Sequence, residues 1–203
     1  MRVLVLSPQR SAPPSLGGHA ADNLRFIRQA MERSATFTAV PGVGGTLMGA
    51  TGVIAAAVAA MQPSADRWLL VWLAAAAVAL LIGLTTMTRK AARAGVPLGG
   101  ANARRFAAAL AAPCVAGAAL TYGLWATRTY SVMPSAWLLL YGTGVLTGGA
   151  FSVAPIRVSG ALFMLLGLLS VVTPPAWGNV WLAAGFGFLH IGAGFYIARH
   201  HGG

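Results

Sequence analysis

Apolar residues in this chain gather into six runs of membrane-spanning length, separated by short stretches that hold nearly all of the charge. A bilayer core about 30 Å thick takes about 20 helical residues to cross. The runs are Ala39–Met61, Trp68–Thr88, Phe106–Thr127, Ser135–Ala154, Val158–Thr173 and Trp177–Ala198, each bounded by proline, glycine, charge or aromatic residues of the kind that end spans. The fifth, at sixteen residues, follows Pro155-Ile156-Arg157 closely, which predicts a tight helical hairpin around that turn. The pattern predicts an all-α polytopic membrane protein whose residues 38–203 form a six-helix transmembrane bundle.

Ahead of the first run the period changes. In residues 19–37, Leu24, Ile27, Met31 and Ala35 recur at helical spacing, Arg25, Arg28, Glu32 and Arg33 lie largely off that stripe, and Asp22 suits the N-cap. This predicts a juxtamembrane amphipathic helix lying on an anionic lipid surface through Arg25, Arg28 and Arg33, each contributing about 1 kcal/mol there. A helix of this kind also suits docking of a cytoplasmic partner. Residues 1–18, with Pro13, Pro14 and Gly17-Gly18, read as a flexible tail.

Composition agrees with lipid as the solvent: 57% of residues are apolar and 8% charged, with a mean hydropathy of +0.72, too little polar surface for a soluble domain of this size. The net charge of +11 does not indicate nucleic acid, because the basic residues flank apolar runs instead of covering a folded polar face. Their distribution is one-sided. Arg2, Arg10, Arg25, Arg28, Arg33, Arg89, Lys90, Arg93, Arg104, Arg105, Arg157 and Arg199 fall on one side of the predicted spans, against Arg67 and Arg128 on the other. Positive residues in short loops stay cytoplasmic, so both termini are expected there. All six tryptophans, Trp68, Trp72, Trp125, Trp137, Trp177 and Trp181, fall at the opposite span ends, where amphipathic rings favour the headgroup zone.

The segments Asn23-Leu24-Arg25-Phe26-Ile27-Arg28, Met31-Glu32 and Phe37-Thr38-Ala39-Val40-Pro41-Gly42 resemble the opening of a small family of uncharacterised bacterial multi-span membrane proteins. His190-Ile191 and Ile197-Ala198-Arg199, followed by Gly202-Gly203, are similar to its end. The resemblance covers the two ends better than the middle. It implies a bacterial inner membrane and carries no activity, cofactor or site residue.

Within the runs, small residues mark packing faces, because lipid tails supply no hydrophobic drive between helices and association depends on close backbone approach. Gly45-xxx-Gly49 and Gly144-xxx-Gly148 are the clearest pairs, and the sixth run adds Gly178, Gly185 and Gly192 at sevenfold spacing, with Gly187 and Gly194 nearby. The same faces suit a second copy of the chain or the wall of a substrate path. Pro113 is expected to kink the third span and free a carbonyl near Ala109.

Chemistry inside the bilayer is sparse. Asp22, Glu32 and Asp66 are the only acids and none lies at membrane depth, which removes paired-carboxylate catalysis, a carboxylate proton relay and a Ser-His-acid triad. The lone Cys114 permits no intramolecular disulfide. His190 stands apart: thirteen residues from Trp177 and nine from Arg199, it lies about 20 Å from one end of its span and about 13 Å from the other. An ionisable group at that depth is a candidate functional residue. The plainer reading is a neutral imidazole bonded to a hydroxyl at Thr85, Thr86, Thr143 or Thr147. No second intramembrane histidine completes a haem or metal site within one chain, so no cofactor is implied.

Two functional classes follow. A non-enzymatic accessory or scaffold protein would act through the cytoplasmic helix and glycine-rich faces. A small permease or channel would run its pathway past Thr143, Thr147 and His190, and should show internal repeat symmetry. Glycine gathers towards the cytoplasm in both the first and fourth spans, where an inverted repeat would place it on opposite sides, so the scaffold reading leads. An enzyme or redox subunit relying on His190 ranks last.

Overall fold

The computed structural model describes residues 23–27 and 37–201, which belong to two units divided between Ala35 and Thr36. In the first unit, residues 23–27 are helical, with Leu24, Phe26 and Ile27 exposed. The tail 1–18 and most of the amphipathic segment, including Arg28 and Arg33, lie outside the described residues.

The second unit is built of six helices: α1 Gly42–Ala60, α2 Ala65–Ala94, α3 Ala101–Ala126, α4 Met133–Gly149, α5 Ala154–Val172 and α6 Pro175–His201. No strand occurs among the described residues, only an isolated bridge between Phe37 and Ser152. Five of the helices, all but α4, are long and apolar enough to cross a membrane, as in a multi-pass membrane protein. With 17 residues, α4 extends about 26 Å.

Local chemistry sets the helix ends. The Ser64 hydroxyl accepts from the Arg67 N–H to cap α2, which closes on Gly95 in the left-handed conformation (φ 63°). The α2 helix passes the expected end at Thr88 to include Arg89, Lys90 and Arg93, and α3 starts five residues before Phe106; basic side chains with long apolar stems carry a helix beyond the hydrocarbon. Pro155 lies in the first turn of the 19-residue α5, where its missing N–H would have no intrahelical acceptor. The turn therefore precedes Pro155, and the fifth span is longer than the sequence suggested. Pro113 sits within the unbroken α3. Residues Ala183–Leu189 of α6 adopt π-helical geometry, in which hydrogen bonds reach five residues along instead of four.

The α1 and α6 helices meet backbone to backbone. A Cβ placed on Gly49 would fall 2.6 Å from the Gly187 carbonyl oxygen, one on Gly45 would lie 3.1 Å from Gly194 Cα, and Gly52 abuts the Phe186 carbonyl. A second close contact joins α4 to α5, where Gly142 faces the Met164 N–H and Gly160 faces the Leu146 backbone. The α2 helix packs on α1 and α3 on α4, yet α2 and α3, consecutive in the chain, scarcely touch along their lengths.

At the basic end, Phe37 pairs its N–H with the Phe151 carbonyl at 2.8 Å while the buried Ser152 hydroxyl donates to the Phe37 carbonyl at 2.7 Å. This fixes the approach to α1 against the α4–α5 turn. The Lys90 ammonium donates to the carbonyls of Val40 (3.0 Å) and His201 (2.8 Å), placing a cation at the negative end of α6.

Candidate functional site

The π-helical segment delivers His190 into a cluster of rings. Its imidazole lies edge-on to Phe163 (5.1 Å between centroids), 5.4 Å from Tyr141 and 6.1 Å from Phe186, while Tyr141 sits edge-on to Phe163 at 4.9 Å. Three helices supply these rings: α4 gives Tyr141, α5 gives Phe163, and α6 gives Phe186 and His190. Phe163 is 2% exposed and lies against the Gly185 surface, so the absence of a side chain at Gly185 makes room for the ring.

The His190 Nε2 and the Tyr141 hydroxyl are hydrogen-bonded at 2.8 Å, whereas the buried Nδ1 makes no well-formed hydrogen bond among the described residues and lies near the Gly185 and Phe186 carbonyls of its own helix. Elementary bookkeeping selects the tautomer. If the Tyr141 O–H donates to Nε2, the Nδ1 N–H is left with only the nearby Gly185 and Phe186 carbonyls. If Nε2–H donates instead, both the Nδ1 lone pair and the tyrosine proton go unmet. The first arrangement costs less, since each buried unmet polar group carries a penalty of about 1–3 kcal/mol. A neutral, aromatic-walled imidazole of this kind is a fastening between α4 and α6.

His190 therefore has a neighbouring-helix partner, but the partner is Tyr141 and none of the four threonines expected for it. Thr143 donates to the Leu139 carbonyl at 2.8 Å and Thr147 to the Thr143 carbonyl at 2.7 Å. Thr85 and Thr86 likewise bond to Leu81 and Ile82 on their own helix. A threonine one turn along a helix readily satisfies itself in this way, and that removes it as a cross-helix donor.

The glycines divide similarly. Gly45, Gly49 and Gly185 are in close contact, and Gly144 and Gly148 face Leu110 and Phe106 of α3, with a built Cβ 3.2 and 3.3 Å away. Gly192 is a correction: nothing lies within 4 Å of its Cβ position. The step from Gly185 to Gly192 crosses most of the π-helical segment, so a seven-residue count no longer returns to the same face. Gly194, which abuts Gly42 and Thr46, contributes to the α1 seam instead. Arg25 lies on the exposed turn of residues 23–27.

A second polar cluster, at the tryptophan end, centres on Asn179, which the sequence reading passed over. Its Oδ1 accepts from the Trp68 and Trp72 indoles at 3.2 and 3.1 Å, and its Nδ2 donates to the Ala56 carbonyl at 2.8 Å. One side chain thereby ties α6 to α1 and α2. Trp137 stacks on Trp68 at 5.7 Å and donates to Thr121, while Trp181 donates to Thr173. Four of the six tryptophans are thus engaged inside the bundle; Trp125 and Trp177, 41% and 53% exposed, are the ones turned outward. The available signal was a lone asparagine in an apolar, tryptophan-flanked run. Among the described residues no group of three His, Cys, Asp or Glu side chains gathers to hold a metal ion.

Compared with protein-family models, curated proteins and solved structures, the chain matches none.

Proposed function

We propose that the chain is a non-enzymatic accessory or scaffold protein of a bacterial inner membrane, with six spans and both termini in the cytoplasm. The observation that carries this reading is the use made of intramembrane polarity: the His190–Tyr141 pair, the Asn179 cluster and the threonines all spend their hydrogen bonds on holding the fold. The α4 helix joins the five longer ones as a span because it lies between α3 and α5 with apolar side chains along its length. The one-sided basic residues support the orientation, and the resemblance at the two chain ends supports the bacterial membrane.

Partners would be reached from the cytoplasmic segment and from the outward faces of α2 and α3. Leu24, Phe26 and Ile27 are exposed around Arg25, a combination suited to an anionic leaflet or an apolar groove on another protein. A pathway past Thr143 and Thr147 is the weaker alternative, since both hydroxyls are turned onto their own helix. Extraction from native membrane, with and without residues 19–36, tests the scaffold reading: a protein that co-purifies with the full chain and is lost on deletion is expected. Recovery of the full chain alone, together with uptake of a solute by reconstituted vesicles, would replace it with the permease. A reporter joined near Arg128 should read outside and one near Lys90 inside.

A further inference from the structure

Where α2 and α3 part, they leave a groove with a cavity of about 490 Å³, lined by Leu69, Leu70, Leu73, Ala118, Thr121 and Tyr122 and ending at Asp66, Trp125 and Arg128. Its walls are apolar and its end is ionic. The Arg128 Nη1 donates to both Asp66 oxygens (3.1 and 2.9 Å) and to the Tyr130 hydroxyl (2.9 Å). Asp66 Oδ1 also accepts from Trp125 Nε1 at 3.0 Å and from the Tyr130 O–H at 2.5 Å. Oδ1 is therefore fully engaged, while Oδ2 holds a single bond. Nε and Nη2 of Arg128 have no partner among the described residues, and the Arg128 and Asp66 side chains are 66% and 50% exposed. The bond to Asp66 pushes the Tyr130 phenol above its usual range, so the phenol remains a donor.

The backbone adds an independent observation. The α3 helix ends in a Schellman turn, with Thr129 N–H on the Leu124 carbonyl and Arg128 N–H on that of Trp125. The left-handed position of that turn is taken by Arg128 (φ 58°), the only residue other than glycine with positive φ among the described residues. The equivalent turn after α2 uses Gly95, the residue with no steric objection to that conformation. An arginine held at such a position, aimed across the end of an apolar groove, points to a role for its side chain.

We infer that the groove is a phospholipid site: an acyl chain lies between α2 and α3, the headgroup phosphate takes the unused Nε and Nη2 of Arg128, and a primary ammonium donates to Asp66 Oδ2. Charge complementarity selects the occupant, since an adjacent cation and anion match a zwitterionic headgroup. A primary amine fits better than a quaternary one because only the former carries N–H donors. The inference rests on the chain's residence in a bilayer, and holds whichever end faces out and whether or not a protein partner exists.

Native mass spectrometry of the purified full chain, offered phosphatidylethanolamine, phosphatidylcholine and phosphatidylglycerol of matched acyl chains, provides the test. Phosphatidylethanolamine should be retained about tenfold more than either of the others, the factor one charge-assisted hydrogen bond supplies. Asp66→Asn should abolish that preference while phosphatidylglycerol still binds. Arg128→Gly, which relieves the backbone and so keeps the fold, should lose all three; Ala118→Leu should lower all three by filling the groove. Equal retention of the three lipids by the native chain, or unchanged retention in a folded Arg128→Gly chain, would overturn the proposal. So would a stable dimer or heteromer in which lipid is excluded and the groove is protected, which would give the groove to a helix.

Discussion

Two pairs of helices show opposite solutions to the same solvent. The α1 and α6 helices, far apart in sequence, approach until glycine backbones touch, whereas α2 and α3, joined by a short loop, stay apart and turn Leu70, Leu73, Leu80, Leu81 and Val115 outward. In lipid the second arrangement costs little, because an exposed leucine is as well solvated by acyl chains as by another leucine. Association is won only where backbones come close enough for dispersion and polar contacts to accumulate. Connectivity alone therefore does not decide adjacency in this bundle: the consecutive helices α4 and α5 and the distant helices α1 and α6 both meet through glycines, while the consecutive α2 and α3 do not meet.

If that contrast is right, the largest effect comes from bulk in the seam. Gly194→Leu would drive a side chain into the Thr46 N–H and the Gly42 carbonyl, costing about 3 kcal/mol, the upper end for overpacking, because backbone on the facing helix cannot yield; size-exclusion chromatography in detergent should find no monodisperse bundle. Next comes the tie at the tryptophan end. Asn179→Ala strands two indole N–H groups and removes the bond from α6 to the Ala56 carbonyl, which keeps its own-helix partner, so a loss of about 1–3 kcal/mol is expected, read as a lowered unfolding midpoint with red-shifted tryptophan emission. The smaller effect belongs to the ring cluster: Tyr141→Phe removes the partner of His190 but keeps the packing, for about 1 kcal/mol, above the average of about 0.6 for a hydrogen bond between membrane helices because the buried Nε2 loses its donor. A much larger loss there, with folding intact and partner binding abolished, would show that the pair does more than fasten α4 to α6.

Much of the fold is legible in the sequence because a spanning segment must satisfy its own backbone hydrogen bonds, which makes each helix visible as an apolar run. Ends were less visible: Arg89, Lys90 and Arg93 look like a loop by charge, but their stems allow α2 to continue to Ala94. Side-chain partners were less visible again. Whether His190 meets Tyr141 or Thr143 depends on the rotation and depth of α4, two residues apart in sequence but on different faces. The π-helical segment shifted the face of Gly192 without leaving a mark in the spacing of glycines. Asn179 was readable as an isolated polar residue, but its value lies in three acceptor and donor contacts that only the assembled helices bring together.

That close glycine contact is what holds α1 to α6 is tested most directly by unfolding Gly52→Ala and Gly192→Ala side by side in micelles. Both add one methyl group to a glycine in a membrane helix, one facing the Phe186 carbonyl and the other facing nothing within 4 Å. A loss of about 1–3 kcal/mol for the first and a change within about 0.5 kcal/mol for the second are predicted. Equal losses, or a greater loss at Gly192, would contradict the account.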